Sequence, residues 1–331
     1  MNAMRIGAKS IAAILLGIFV APAVDAQTVN LRLISGWTPN NPNVPLIETV
    51  MIKNIADASN GEIKIQRSGP EVVPPFEQLQ PVSAGVFDIL FTTPGYHQAQ
   101  TGVANVFDTM KPDPEKRREG GVTAWADDYY NKRYGMRILS LIPAPGNHFV
   151  LRESLGADLS LKGRKIRAIA TFEGAVRALG GTPVNMGPAD AFAAMQKGVI
   201  DGITFPAFAS ADYKLFEVGK FMTRPIFGGT NVLTMINTKK FDSLSPAHQK
   251  IILDEGRKLE VTAAKALMDH ERKDIDTMVK NGVAISNFDA KTGANLNRLY
   301  NEGILATASK STPNEVKTLY ELARSKNLLN E

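Results

Sequence analysis

The strongest constraint on the fold is a repeated alternation between short apolar strands and helical segments. Residues 29–35 alternate apolar with polar side chains, which is typical of a half-exposed strand. A helical pattern over residues 44–59 follows, then a strand at 62–67, a shorter helix at 76–84 and an apolar strand at 86–92. This order predicts an α/β unit with a doubly wound, parallel sheet.

The same order returns over residues 161–206. The predicted elements are a strand at 165–170, a helix from an N-cap at Thr171 to Leu179, a strand at 182–185, a helix from Pro188 to Gly198 and a strand at 203–205. A chain of 331 residues exceeds one compact domain of ordinary size. The repeated pattern therefore predicts two α/β lobes.

The boundary between the lobes is predicted at Pro143-Ala144-Pro145-Gly146, which is typical of a crossover loop. Lobe I is predicted to comprise residues 27–145 with contributions from about 238–331, and lobe II residues 146–237. A strand over residues 232–237 is expected to return toward lobe I. Ser245-Pro246 begins a helical pattern that reaches about Asn281-Gly282. At 1.5 Å per residue this helix is roughly 50 Å long, which is enough to span both lobes.

The N-terminal sequence is typical of a secretory signal peptide over residues 1–26. Two basic residues precede an apolar run over residues 11–20 that is too short to cross a bilayer. Small residues lead to a predicted cleavage near Ala26-Gln27. A buried core helix is the alternative interpretation, and Pro22 makes it less favourable. We expect export to the periplasm, where a protein held by its core needs no disulfides.

Charge and residue usage argue against several function classes. The net charge of +5 is spread along the chain without a run of five basic residues, so we expect no nucleic-acid partner. The chain has no cysteine, which excludes thiol catalysis and thiolate metal sites. Its four histidines are scattered, and neither a His-Glu-x-x-His motif, a Gly-x-Ser-x-Gly motif nor a phosphate-binding glycine loop is present.

Acidic pairs are the remaining candidates for chemistry. Asp127-Asp128 and Asp274-Ile275-Asp276 are each interpreted as part of a solvated helix face. The sequence therefore predicts a binding protein, with no enzyme activity, no cofactor and no metal site.

Several motifs resemble the extracytoplasmic binding proteins of TRAP transporters, the DctP-like family. The matching motifs are Leu161-Lys162-Gly163-Arg164-Lys165-Ile166-Arg167, Gly180-Gly181-Thr182-Pro183-Val184, Ala194-Met195-Gln196-Lys197-Gly198-Val199-Ile200-Asp201-Gly202 and Leu244-Ser245-Pro246-Ala247-His248-Gln249-Lys250. The resemblance extends over about residues 29–325. It implies a two-lobed Venus-flytrap fold that closes on an organic acid and delivers it to the small and large TRAP membrane subunits.

The resemblance also implies ligand-binding residues. Arg167 takes the position of the family's arginine that grips the ligand carboxylate, and a planar guanidinium suits a carboxylate because it binds it bidentately. The alternative is a surface salt bridge at a strand edge. Trp37, Thr93 and Tyr96 follow strand ends in lobe I and are expected to close over the ligand. Both aromatic residues are equally consistent with half-buried loop positions.

Two departures from the family's pattern bear on the ligand. Many relatives carry a second arginine where this chain has His148, and a neutral or switchable imidazole binds a second anionic group less strongly. Relatives also often carry Glu and Asn where this chain has Thr204 and Phe205. Together these changes predict a more apolar monocarboxylate and argue against metal-assisted binding, although Phe205 is also consistent with simple packing.

Rival interpretations remain open at the level of sequence. An ABC-type or tripartite tricarboxylate binding protein would have a similar architecture. A secreted enzyme on the same scaffold, or a ligand-sensing protein for a chemoreceptor or kinase, would belong to a different functional class.

Overall fold

A computed structural model describes residues 28–330 together with the first residue. The predicted signal peptide and its cleavage position therefore lie outside the described residues, apart from Met1. Within the described part, no helix combines the length and apolarity needed to cross a bilayer.

Eleven strands and ten α-helices form the described part of the chain. The strands are β1 (Val29–Ser35), β2 (Ile63–Ser68), β3 (Ile89–Thr92), β4 (Met136–Ala144), β5 (Asn147–Leu151), β6 (Lys165–Arg167), β7 (Thr182–Val184), β8 (Gly202–Pro206), β9 (Phe221–Arg224), β10 (Thr230–Asn237) and β11 (Ala284–Asn287). The helices are α1 (Thr49–Ala58), α2 (Leu79–Ser83), α3 (Pro114–Glu119), α4 (Val122–Tyr134), α5 (Ala170–Ala178), α6 (Pro188–Gln196), α7 (Thr238–Asp242), α8 (Pro246–Lys280), α9 (Ala290–Ala308) and α10 (Pro313–Ser325).

The strands form two sheets, which confirms the predicted two-lobed α/β fold. The first sheet has the order β2-β1-β3-β10-β4 and the second the order β11-β9-β5-β8-β6-β7. Strands β1, β2 and β3 run parallel, as do β6, β7 and β8. These are the segments in which the sequence alternates strand with helix. Leu31 and Leu33 of β1 face one apolar core while Ile34 faces another, so helices cover both faces of the first sheet.

Two strands lie in the sheet opposite to the one expected from the predicted boundaries. Strand β10 falls within residues 146–237, yet it lies antiparallel between β3 and β4 in the first sheet, which confirms the expected return of residues 232–237 toward lobe I. Strand β11 falls within residues 238–331, yet it pairs with β9 in the second sheet. Such pairings join residues far apart in the sequence, for example Ile236 with Ile89. Local patterning carries no information about them.

The long helix α8 is present as predicted. It begins at Pro246, where the Ser245 hydroxyl accepts a hydrogen bond from the His248 backbone N–H at 3.2 Å, and it runs for 35 residues. At Gly256 it lies so close to β4 that a Cβ atom would be 2.5 Å from the Leu139 carbonyl oxygen. Near its other end Asp274 accepts a hydrogen bond from the Ala211 N–H, in the segment that follows β8. The helix therefore contacts both lobes.

Candidate ligand-binding site

A cavity lies between the two sheets, where parallel strands of both lobes end. Its interior volume is about 50 Å³, which rises to about 540 Å³ when the open space at its mouth is included. The lining residues are Trp37, Asn41, Asn43, Thr93, Tyr96, Ala144, Asn147, Arg167, Ile169, Phe172, Pro188, Thr204, Phe205, Pro206, Phe208, Thr230, Asn231 and Val232. These described lining residues include no carboxylate, imidazole or thiol, so they offer no typical metal-binding set.

Arg167 is the charged residue of this cavity. It is the last residue of β6 and only 4% exposed. Its Nε donates to the Met186 carbonyl at 3.0 Å and its Nη1 donates to the Thr204 carbonyl at 3.2 Å. No hydrogen bond from Nη2 to another described residue is formed. The guanidinium is thus fixed in orientation while one of its nitrogens keeps its donors available.

The charge of Arg167 lacks a counter-ion among the described residues. Burial lowers the pKa of Arg167, and the nearby Tyr96 and Tyr213 oppose that shift. The Tyr96 phenol supplies no anion at neutral pH, because burial raises its pKa further above the usual value. A buried, unpaired cation is costly, so an anion that enters the cavity gains a strong electrostatic interaction.

Thr204 and Phe205 place strand β8 beside this arginine. The Thr204 hydroxyl donates to the Arg167 carbonyl at 3.1 Å, which ties β8 to β6. The Phe205 ring is 3% exposed, with its centroid 5.9 Å from the Arg167 guanidinium carbon. On its other side it packs edge-to-face against Tyr213 at 5.1 Å. Phe205 therefore both lines the cavity and packs against the protein.

His148 is not among the lining residues. It lies opposite Phe205 in the β5–β8 ladder and is fully buried. Its Nδ1 is 3.2 Å from Arg224 Nη1, and its Nε2 is 2.7 Å from the Ser210 hydroxyl. Burial, reinforced by the charge of Arg224, lowers the pKa of His148 to about 3. The imidazole is therefore neutral at pH 7, and it contacts Ser210 and Arg224 instead of lining the cavity.

The neighbouring residue, Asn147, is a site residue that the sequence analysis missed. Its side chain lines the cavity and is 1% exposed, yet neither its amide nitrogen nor its amide oxygen has a hydrogen-bond partner among the described residues. The backbone N–H of Asn147 donates to the Phe227 carbonyl, and the Asn147 carbonyl accepts from the Phe227 N–H. Asn43 in lobe I likewise leaves its side-chain oxygen unpartnered. Polar atoms buried without partners are costly, so these amides are suited to a polar ligand.

The three residues predicted for lobe I, Trp37, Thr93 and Tyr96, all line the cavity. Trp37 packs edge-to-face on Phe91 at 5.3 Å, with Tyr96 at 6.1 Å. Both rings are 5% exposed. Lobe I therefore contributes a rigid, mainly aromatic wall opposite Arg167.

The two lobes are in contact around this cavity. The Asn41 amide donates to the Tyr213 hydroxyl at 3.3 Å, and the Asn105 amide donates to the Thr171 hydroxyl at 3.3 Å. At Gly95 a Cβ atom would lie 2.4 Å from that hydroxyl, so the approach requires glycine. Thr171 thus bridges the lobes, whereas the N-cap of α5 is Ile169 and not Thr171 as predicted. The structure has a closed cleft.

The chain is similar to known binding proteins in sequence and structure. It is 30% identical over 147 residues, 42% of this chain and 44% of the relative, to the 2,3-diketo-L-gulonate-binding periplasmic protein YiaO of Escherichia coli. The structure is also similar to that of a TRAP periplasmic solute-binding protein from Desulfovibrio salexigens with bound orotic acid, with a TM-score of 0.80 and 17% identity. The match covers 90% of this chain and 98% of that protein's chain. A marine-metagenome TRAP protein specific for aromatic acids, in complex with metahydroxyphenylacetate, matches 90% and 99% with a TM-score of 0.72 and 22% identity.

The alignments to curated relatives are partial, and the one to YiaO spans less than half of that protein's length. The solved structures are too distant in sequence to show more than the fold. The model of the bacterial extracellular solute-binding protein family 7, DctP, however, matches residues 35–303, which is most of the chain. This protein therefore belongs to the DctP family of TRAP-type solute-binding proteins.

Proposed function

We propose that the protein is a periplasmic receptor that binds a small organic acid by clamping its carboxylate on Arg167. The observation that carries this proposal is a buried guanidinium that borders the cavity without an acidic partner among the described residues. Its Nη2 donates no hydrogen bond to the part of the chain that the structure describes, and a carboxylate beside it would accept a charge-assisted one. Lobe I would close over the bound acid through Trp37, Thr93 and Tyr96.

The walls of the cavity favour a monocarboxylate with a ring or other apolar body. Arg167 is the only cationic side chain among the described lining residues, so a second carboxylate would be buried without a partner. Trp37, Tyr96 and Phe205 offer flat surfaces, and the Asn147 amide offers one donor and one acceptor group. Orotic acid and metahydroxyphenylacetate, the ligands of two similar structures, each combine one carboxylate with a ring that bears at least one further polar group.

The receptor would deliver this acid to the small and large membrane subunits of a TRAP transporter. Ligand contacts that exist only with the cleft closed would shift the open and closed populations. The hinge would lie in the connections between the sheets, at residues 145–146 between β4 and β5 and at 225–229 between β9 and β10. Export would depend on residues 1–26 as a signal peptide.

A thermal-shift screen of residues 27–331 against monocarboxylic and dicarboxylic acids tests the proposal. A specific ligand stabilises the folded state by an amount that grows with the logarithm of its concentration. We expect ring-bearing monocarboxylates to raise the Tm of the wild type and to have little effect on Arg167→Lys. Stabilisation by uncharged sugars alone would contradict the proposal.

Recovery of the ligand separates a receptor from an enzyme on the same scaffold. The acid that raises the Tm should be recovered chemically unchanged after prolonged incubation with pure protein. Conversion of the acid would favour the rival function of a secreted enzyme. Loss of uptake on deletion of the gene, in cells that retain the TRAP membrane subunits, would distinguish a transport receptor from a sensing protein.

A further inference from the structure

Three side chains with metal-binding atoms come together on the outer side of lobe II. Asp212 lies in the segment between β8 and β9, and His270 and Asp274 lie one turn apart on α8. One potential ligand atom from each residue lies within 4.8 Å of the others. His270 Nε2 is already 2.7 Å from an Asp212 carboxylate oxygen. Within the described part of the chain this is the one group of three or more such residues.

The buried member, Asp274, has an unsatisfied carboxylate. Its residue is 3% exposed, although the sequence analysis placed it on a solvated helix face. One oxygen accepts the Ala211 N–H at 2.9 Å, whereas the other, Oδ2, is buried without a partner among the described residues. A buried carboxylate oxygen without a partner is costly, and a cation bound beside it would remove that cost.

We propose that Asp212, His270 and Asp274 bind a divalent transition-metal ion of the Zn²⁺ type. One imidazole nitrogen and two carboxylate oxygens form a mixed donor set, which suits Zn²⁺ better than Ca²⁺ or Mg²⁺, since those ions prefer oxygen ligands alone. The two carboxylates balance the charge of the ion. A water molecule would complete a tetrahedral site with three protein ligands.

The geometry requires only side-chain adjustment. Zn²⁺ lies about 2.0–2.2 Å from nitrogen and oxygen ligands, which places ligand atoms about 3.3 Å apart in a tetrahedron. The His270–Asp212 pair at 2.7 Å would open slightly, and the remaining atoms would approach from at most 4.8 Å. Asp212 is exposed and His270 is partly exposed, so both can rotate, whereas Asp274 is held by the Ala211 N–H.

The ion would fix the segment behind the cavity wall to the long helix. That segment carries Tyr213, which packs against Phe205, and Ser210, which contacts His148. None of the three proposed metal ligands lines the cavity. Metal binding and acid binding are therefore separable, so failure of the metal proposal would leave the proposed receptor function unaffected.

The other end of α8 provides a matched control. His248 Nε2 is 2.8 Å from a Glu62 carboxylate oxygen, nearly the same geometry as the His270–Asp212 pair. No third donor joins this pair among the described residues. A pair of this kind binds metal ions weakly, since structural sites use three or four protein ligands.

Calorimetric titration of tag-free, chelator-treated residues 27–331 with Zn²⁺ tests the site. We expect one ion per chain, with affinity reduced about tenfold or more in Asp274→Asn and His270→Gln and retained in His248→Gln. Asn at position 274 keeps an acceptor for the Ala211 N–H, so this variant should fold, which circular dichroism would verify. Co²⁺ should give d–d absorption bands typical of four-coordination in the wild type and in His248→Gln, but not in Asp274→Asn or His270→Gln.

Three outcomes would overturn the proposal. The first is a wild type that binds no Zn²⁺ under these conditions. The second is an Asp274→Asn variant that binds Zn²⁺ as tightly as the wild type. The third is a wild type that binds Ca²⁺ with the same affinity as Zn²⁺.

Discussion

Arg117 in the first lobe and Arg167 in the second are both almost completely buried, at 2% and 4% exposure, but their surroundings differ. Arg117 donates to the carbonyls of Lys111, Phe107 and Met110 and to the Asn231 side chain, so each of its nitrogens has a partner. Asp108 lies close enough to raise its pKa, against the stronger lowering effect of burial. Among the described residues Arg167 has two carbonyl partners and no nearby carboxylate, and its Nη2 has no acceptor.

This difference separates a structural arginine from a ligand-binding one. Burial alone does not identify a site, because both guanidinium groups are equally removed from water. Arg167 differs from Arg117 because it lines a cavity and keeps hydrogen-bond donors without acceptors among the described residues. We therefore expect substitution of Arg167 to lower mainly the ligand affinity, and substitution of Arg117 to lower mainly the free energy of unfolding.

The largest effect is expected at Arg167. Arg167→Ala should weaken binding of the cognate acid by about a hundredfold or more, because a charge-assisted interaction is lost and the carboxylate is left buried without a partner. The free energy of unfolding should change by under about 1 kcal/mol, since an unpaired buried charge is also removed. Calorimetric titration and urea unfolding measure the two effects. A large loss of stability at unchanged affinity would assign Arg167 to the core.

Arg117→Ala should show the reverse pattern. We expect the free energy of unfolding to fall by about 3 kcal/mol, because three carbonyls lose their hydrogen-bond donor and Asp108 loses a nearby positive charge. Acid affinity should change by less than about tenfold, since Arg117 acts on the cavity only through Asn231. The same two assays apply. A hundredfold loss of affinity in a stable Arg117→Ala variant would remove the distinction between the two arginines.

A smaller effect is expected at Asn147. Asn147→Leu keeps a similar volume but removes both amide atoms, which have no hydrogen-bond partner within residues 28–330. Stability should therefore be retained, while the affinity for an acid with a polar substituent falls by about tenfold, equivalent to one hydrogen bond. An acid of the same shape without that substituent serves as the control. An equal loss of affinity for both acids would show that Asn147 does not contact the polar substituent.

The smallest effect concerns pH and His148. Its folded pKa of about 3 is below the usual value for histidine, so the unfolded state binds more protons as pH falls, and stability decreases on acidification below about 6.5. His148→Gln should reduce this loss by about 0.7 kcal/mol between pH 7 and pH 6. Ligand affinity should stay within about twofold from pH 6 to pH 8, because the imidazole remains neutral. Affinity that rises steeply on acidification would instead favour a protonated His148 that contacts the ligand.

The sequence predicted those parts of the fold that depend on local patterning. The strand and helix periods, together with the Ser245-Pro246 cap, predicted the two α/β units and helix α8. The return of residues 232–237 to the first lobe was also predicted, and β10 confirms it. The pairing of β11 with β9 was not predictable, because it depends on contact between distant residues. The same limitation applies to Asp212 and His270, which are 58 residues apart in the chain.

The candidate site was predicted in part. Arg167, Phe205, Trp37, Thr93 and Tyr96 line the cavity, whereas their roles in binding remain predictions. His148 was proposed from its position in a motif, but a motif does not show which of two adjacent strand residues borders the cavity. In the structure Asn147 does so, while His148 is held between Ser210 and Arg224.

Arg167 is proposed to recognise the ligand through its carboxylate, and a thermodynamic cycle with two ligands isolates this interaction. The cognate acid and its uncharged primary amide are titrated into the wild type and into Arg167→Met. The wild type should bind the acid about a hundredfold more tightly than the amide, and the variant should bind both with similar weak affinity. An equal preference for the acid over the amide in both proteins would show that Arg167 does not recognise the carboxylate.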